Sequence, residues 1–171
     1  MQPELILDAK ATLGEGPAWD LKTQTLYWVD ILEKRIYAGT ELLAQMDDMI
    51  GCLAPRKNGN LLLGKRASFV DLEPVSAQQT VLASLGAELP TNRLNDGKCD
   101  PAGRFIAGTK DLNEKDPNGA LYSFDGKQIT RLLDGITISN GLAWSVDHKT
   151  FYYIDTPTRQ VKAFDYDLAT G

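Results

Sequence analysis

Short runs in which apolar and polar residues alternate recur along the whole chain. Residues 25–30 (TLYWVD) and 150–155 (TFYYID) are rich in aromatic and β-branched side chains, a composition typical of half-buried strands. Runs of the same kind occupy residues 35–39, 61–65, 68–72, 104–109, 120–124, 129–133 and 161–166. Turn-forming pairs such as Asn58-Gly59 and Asp125-Gly126 separate them. The pattern predicts an all-β protein.

Two segments leave the choice between strand and helix open. Residues 41–50 have apolar side chains at positions 42, 43, 46, 49 and 50, a spacing that also fits a short helix. Residues 75–85 are ambiguous in the same way. Neither segment is long enough to change the expected fold class.

One stretch of the chain occurs twice in similar form. Gly16-Pro17-Ala18-Trp19 precedes the aromatic run at 25–30, and Gly141-Leu142-Ala143-Trp144 precedes the run at 150–155. Weaker copies begin at Gly51 and Gly97, so the four starts are separated by 35, 46 and 44 residues. Because one four-stranded propeller blade takes about 40–45 residues, the repeat predicts a β-propeller. We expect residues 1–171 to form a single domain, an incomplete arc of about four blades, each a four-stranded antiparallel sheet.

Composition and charge exclude several classes of protein. The chain has 43% hydrophobic and 24% charged residues, as soluble globular domains do. Its net charge of −5 argues against nucleic acid or a membrane as partner. Neither a membrane span nor a signal peptide is recognisable, and Cys52 and Cys99 fit neither a disulfide framework nor a zinc cluster. We expect a cytoplasmic protein, and the sequence does not indicate its oligomeric state.

The residue before each repeat glycine identifies a candidate metal site. These residues are Glu15, Ile50, Asp96 and Asn140. The innermost strand of each blade lines the central channel of a propeller, so equivalent positions converge there. Three of the four side chains carry oxygen donors, which suit Ca²⁺, Mg²⁺ or Mn²⁺, or Zn²⁺. Each motif alone also fits an ordinary turn, since Asn-Gly is a common hairpin pair.

The chain resembles the gluconolactonase, regucalcin and senescence-marker-protein family of six-bladed β-propellers over essentially its whole length. The motifs that carry the resemblance are residues 13–17 (LGEGP), 92–98 (NRLNDGK), 100–104 (DPAGR), 138–145 (ISNGLAWS), 151–155 (FYYID) and 163–167 (AFDYD). They occur in the expected order and at the expected spacing, which makes the match far more specific than any one turn motif.

The resemblance assigns roles to particular side chains. It implies that Glu15 and Asn140 are metal ligands, and that Arg93 and Asn95 contact the substrate, with Asn95 close to the metal and its waters. The family pattern therefore selects Asn95 where the repeat alone favours its neighbour, Asp96.

The same resemblance points to one further segment. An acidic substrate contact found in some relatives aligns with Asn113 in this chain, and Glu114 is its neighbour.

The resemblance also implies an activity. Such a protein hydrolyses sugar lactones, for example glucono-1,5-lactone, to aldonic acids with a divalent cation and without an organic cofactor. The alternative is a calcium-binding, regulatory propeller without turnover, which would use the same ligands.

Family members are nearly twice as long as this chain. Their third ligand, an aspartate that also serves as general base, is expected beyond Gly171, and a strand at 4–8 is expected to close the ring. The chain therefore resembles a C-terminally truncated member, and we expect it to be inactive alone.

Overall fold

The computed structural model describes residues 2–86 and 91–171, in which fifteen strands form four antiparallel sheets. The first sheet contains β1 (Gly14–Asp20), β2 (Thr25–Asp30), β3 (Arg35–Ala38) and β4 (Glu41–Gln45), and the second contains β5 (Ile50–Pro55), β6 (Leu61–Lys65), β7 (Ser68–Leu72) and β8 (Gln79–Ser84). The third contains β9 (Asn92–Cys99), β10 (Phe105–Asp111), β11 (Gly119–Phe124) and β12 (Ile129–Ile136), and the fourth contains β13 (Ser139–Trp144), β14 (Thr150–Asp155) and β15 (Gln160–Asp165).

The sheets are successive blades of a β-propeller. In every sheet the strands follow one another in chain order, and the first strands β1, β5, β9 and β13 contact one another in turn. These strands therefore line the inner side of an open arc. The predicted all-β fold and incomplete arc are confirmed. Three of the sheets have the expected four strands, and the fourth has three within the described residues. A six-bladed ring stays a prediction.

The two ambiguous segments are strands. Within 41–50, β4 pairs with β3 and β5 begins at Ile50, so the helical alternative was wrong. Within 75–85, the strand is β8, at the edge of the second sheet. In both segments, hydrogen bonding to a neighbouring strand outweighs the helix-like spacing of the apolar residues.

Residues 4–8 form no strand in this structure, and Leu5 and Ile6 are 77% and 86% exposed. The strand expected to close a complete ring stays a prediction.

Apolar clusters hold adjacent blades together. Between blades 1 and 2 the cluster includes Val29, Ile36, Ile50, Leu53 and Leu63. Between blades 2 and 3 it includes Phe69, Leu94, Phe105 and Phe124, and between blades 3 and 4 it includes Ile106, Leu121, Leu142, Phe151 and Tyr153. The alternation of the sequence places these side chains in the spaces between sheets, since residues two apart lie on the same face.

A β-bulge interrupts each inner strand at the repeat motif. The register shifts between Glu15 and Ala18 in β1, between Ile50 and Cys52 in β5, and between Asn140 and Leu142 in β13. In β9 the residues Leu94 and Gly97 flank the same irregularity. A bulge bends the strand and redirects its side chains, and in β1, β9 and β13 a polar residue lies at this point.

Among residues 2–86 and 91–171, no helix has the length and apolar character needed to cross a membrane.

Candidate functional site

Arg93 lies at the centre of a group of polar side chains on the inner strand of blade 3. It is 3% exposed, and its Nη1 donates hydrogen bonds to the carbonyl oxygen of Leu94 (3.0 Å) and to Oδ1 of Asn95 (2.7 Å). Burial lowers the pKa of Arg93, and the negative charges of Glu114 and Glu15 partly offset that effect. The structure therefore brings together residues that are far apart in the sequence.

Asn95 connects blade 3 to blade 4. Its Oδ1 accepts from Arg93, while its Nδ2 donates to the carbonyl oxygen of Ser139 at 2.8 Å. Ser139 immediately precedes Asn140, one of the two predicted metal ligands. The amide of Asn95 is thus held on both sides, which fixes its orientation toward the neighbouring blade.

The carboxylate of Asp96 accepts hydrogen bonds from the backbone of the same two blades. Oδ1 accepts from the N–H of Gly97 and Oδ2 accepts from the N–H of Gly141, both at 2.8 Å. Gly141 has a φ of +70°, a conformation that suits glycine, so its amide can face this carboxylate. Both oxygens of Asp96 are thus engaged by backbone donors, and the choice of Asn95 over Asp96 as the substrate contact stays a prediction.

The two predicted metal ligands differ in exposure and in whether their side-chain oxygens already accept hydrogen bonds. Glu15 is exposed at the bulge of β1, and its carboxylate has no hydrogen bond to any residue in the described part of the chain. Asn140 is half-buried, and its Oδ1 accepts from the N–H of Gly141 at 3.1 Å. Both are hard oxygen donors and fit a divalent cation in kind.

The donor set is nevertheless small. In the residues that the structure describes, no three His, Cys, Asp or Glu side chains come together as a group that could hold a metal ion. Hard cations take six or more oxygen ligands, so these two side chains would supply part of a coordination shell.

Two aspartates near this end of the blades already accept hydrogen bonds from backbone N–H groups. Asp30 accepts from the N–H groups of Thr12 and Leu13 at 2.9 and 3.0 Å. Asp155 accepts from the N–H of Ile138 at 2.8 Å. Each carboxylate ends the second strand of a blade and caps the chain entering the first, so neither completes the candidate metal site.

The loop after β10 places its two predicted residues differently. Glu114 forms an ion pair with Lys110, and its charge acts on Arg93. Asn113 is exposed, and its backbone N–H donates to Oδ2 of Asp111 at 3.1 Å. Its side chain does not join the polar group, so the predicted contact at Asn113 stays a prediction.

Lys110 belongs to the site but was missed from the sequence. It is 8% exposed, and its Cα lies opposite that of Arg93 in the antiparallel pairing of β10 and β9. Side chains at such paired positions project from the same face of a sheet. The available signal was a lysine at the end of an otherwise apolar run, Phe105–Asp111, where a buried cation needs a partner.

A groove of about 1090 Å³ lies apart from this group. It lies against the first sheet, where Trp19, Leu26 and Trp28 form apolar walls, and Glu15 also lines it. The hydrogen bonds and charges converge at Arg93, so we place the candidate site there.

Comparison with known proteins agrees with the fold. The family model for the SMP-30/Gluconolactonase/LRE-like region matches residues 13–171. Regucalcin from Danio rerio is 38% identical over 176 residues, which cover 98% of this chain and 59% of that protein. The chain spans about three fifths of the length of the curated relatives it matches.

Two solved structures are also similar to this chain. A luciferin-regenerating enzyme has a TM-score of 0.85 and 34% identity, with 93% of this chain and 57% of that chain covered. Regucalcin from Agrobacterium tumefaciens, described as a calcium-binding protein, has a TM-score of 0.85 and 27% identity, with 91% and 54% covered.

Proposed function

Because the chain belongs to the SMP-30/gluconolactonase/LRE-like family, we propose that the protein hydrolyses sugar lactones to aldonic acids with the help of a divalent cation. Glucono-1,5-lactone is the reference substrate. The observation that carries the proposal is the hydrogen-bonded pair Arg93–Asn95 beside the charge of Glu15. Hydrolysis of a lactone builds negative charge on the carbonyl oxygen, and fixed donors aimed at that oxygen lower the barrier.

Glu15 and Asn140 would hold the cation, which is Ca²⁺, Zn²⁺, Mn²⁺ or Mg²⁺. A bound divalent cation polarises a carbonyl group and lowers the pKa of water. The side chains of this chain supply binding and orientation. Arg93 has guanidinium donors beyond the Nη1 bonds to Leu94 and Asn95, and these can bind ring or carbonyl oxygens of the substrate.

The remaining ligand and the general base belong, in this proposal, to an aspartate outside residues 1–171. Two oxygen donors hold a cation less tightly than three, and without a base the attacking water keeps its proton. The 171-residue chain alone is therefore expected to turn over lactone slowly or not at all.

The test is lactone hydrolysis by protein expressed from the complete reading frame. Metal is removed with a chelator and each of the four cations is returned, while acid release is followed with a pH indicator. Arg93→Met and Glu15→Gln should each lower kcat/KM by about 100-fold. Glu41→Gln, which changes an exposed carboxylate on β4, is the matched control. Unchanged turnover in both site variants would remove the proposal.

A calcium-binding role without turnover is the second candidate. It is favoured by the carboxylate of Glu15, which has no protein partner among the described residues, and by the calcium-binding description of the Agrobacterium relative. Arg93→Met separates the two candidates, because a pure ion-binding protein has no need of this guanidinium. Calcium affinity measured by calorimetry should survive Arg93→Met in both cases, whereas lactone hydrolysis is lost only if the protein is an enzyme.

A further inference from the structure

Two buried cations lie side by side on one face of the sheet of blade 3. Arg93 and Lys110 are 3% and 8% exposed, and their Cα atoms are directly paired between β9 and β10. The hydrogen bonds of Arg93 go to neutral oxygens of Leu94 and Asn95, and no described carboxylate is bonded to it. A buried cation without a bonded anion, such as Arg93, is unfavourable, and the anion bonded to Lys110 is the largely exposed Glu114, so this face attracts negative charge.

Two carboxylates from other parts of the chain act on Arg93 without bonding to it. Glu15 acts on it from blade 1, and Glu114 acts on it from the loop that follows Lys110. The positive charge of Arg66 adds to the repulsion that Arg93 experiences.

The ion pair between Lys110 and Glu114 is asymmetric. The side chain of Lys110 is 10% exposed, whereas that of Glu114 is 55% exposed. Glu114 lies in the exposed loop 112–118 and has a φ of +59°, in the left-handed region. The carboxylate is largely exposed to water, whereas the lysine side chain is largely buried. Because a partly exposed ion pair contributes little stability, a ligand carboxylate can replace Glu114 with little penalty.

We propose that Lys110 and Arg93 bind a carboxylate carried by the substrate, so that the preferred substrate is the lactone of a sugar dicarboxylic acid. This inference rests on the proposed lactonase function and names its substrate class. The lactone carbonyl faces Glu15 and Asn140, the free carboxylate faces Lys110, and Glu114 is the counter-ion that this carboxylate displaces.

The test compares two lactones of the same ring size. D-glucaro-1,4-lactone carries a carboxylate, and D-galactono-1,4-lactone does not. The wild-type protein should have the higher kcat/KM with the acidic lactone. Lys110→Met should lower that value by at least about tenfold, the loss expected for a charged hydrogen bond, and should lower hydrolysis of the neutral lactone by a clearly smaller factor. Lys110→Arg should retain the preference.

Two further variants sharpen the result. Glu114→Gln removes the competing anion, so it should raise the affinity for the acidic lactone. Lys65→Met breaks a similar ion pair with Asp47 in blade 2, with side chains 16% and 75% exposed, and should leave the preference unchanged. Equal losses on both lactones in Lys110→Met, or no loss on either, would overturn the proposal.

A binding measurement separates this inference from the lactonase function. Calorimetry compares open-chain glucarate, a dicarboxylate, with gluconate, a monocarboxylate, and neither needs to be hydrolysed. Tighter binding of glucarate that disappears in Lys110→Met supports the carboxylate site even if no lactone is turned over. Equal binding of the two acids refutes it even if lactones are hydrolysed.

Discussion

The contact between blades 1 and 2 and the contact between blades 3 and 4 are built differently. Blades 1 and 2 are joined by an apolar cluster of fully buried side chains, among them Val29, Ile50 and Leu63. Blades 3 and 4 also share an apolar cluster, but side chains of Asn95 and Asp96 in addition hydrogen-bond to the backbone of blade 4.

The two contacts contribute differently, because one mainly stabilises the protein and the other also fixes the positions of polar groups. Apolar contacts are not directional, so the first contact holds the blades together without fixing the orientation of a polar group. Hydrogen bonds have a preferred geometry and fix the relative placement of the atoms they join. The directional contact lies where Arg93, Asn95 and Asn140 must keep their relative positions. Of the two contacts compared, the candidate site therefore lies beside the one that is fixed by hydrogen bonds.

The most damaging change should be Gly108→Ala, at the contact of blades 3 and 4. A Cβ on Gly108 would lie 2.0 Å from Oγ and 2.4 Å from Cβ of Ser139. Ser139 is fully buried, so blade 4 must move. We expect a loss of about 4 kcal/mol in the free energy of unfolding, the range seen for severe core changes, measured by denaturant titration.

Gly14→Ala in blade 1 is the matched control. Its Cβ would meet the Cβ of Ala11 at 3.4 Å, an ordinary contact, so stability should change little. If the two substitutions prove equally mild, the close approach of Gly108 to Ser139 does not constrain the blades.

Leu63→Ala tests the apolar contact between blades 1 and 2. Leu63 is fully buried in the cluster between blades 1 and 2, and truncation leaves a cavity. We expect a loss of about 3 kcal/mol in the free energy of unfolding. Binding of divalent cations, measured by calorimetry under folding conditions, should be unchanged.

Asp96→Asn tests the hydrogen-bonded contact between blades 3 and 4. The amide nitrogen cannot accept a hydrogen bond, so one of the bonds to Gly97 and Gly141 is lost. We expect a loss of about 2 kcal/mol, together with weaker cation binding because Gly141 no longer holds its neighbour Asn140 in place. A fall in cation affinity with Leu63→Ala but not with Asp96→Asn would reverse the roles of the two contacts.

The sequence was sufficient where the determining interactions are local. The bounds of β2, β6, β7 and β14 agree with the alternation, because each run is bounded by its own turn residues. The role of Asp96 could not be predicted, since its partner Gly141 lies 45 residues further along the chain in another blade. Lys110 was missed for the same reason, because its importance comes from the opposite strand.

The smallest effect concerns the far end of the contact between blades 3 and 4. Oδ2 of Asp100, in blade 3, accepts from Nε of Arg104 and from the hydroxyl of Tyr166, both at 2.7 Å, and Tyr166 follows the last strand of blade 4. Burial raises the pKa of Asp100, but the hydrogen bonds from Tyr166 and Arg104 outweigh it and hold the pKa below its usual 3.8.

Asp100→Asn should therefore destabilise the protein in a pH-dependent way. A carboxylate whose pKa is lower in the folded state stabilises that state above its unfolded pKa, and the contribution is lost as the pH falls through the folded value. We expect a deficit of about 1 kcal/mol at pH 7, which shrinks below pH 3.8. Tyr166→Phe removes one donor to Asp100, so its own deficit should fall in the same pH range. Urea titrations of the three proteins at several pH values measure this, and a deficit that does not change with pH would show that the carboxylate of Asp100 does not hold the blades by its charge.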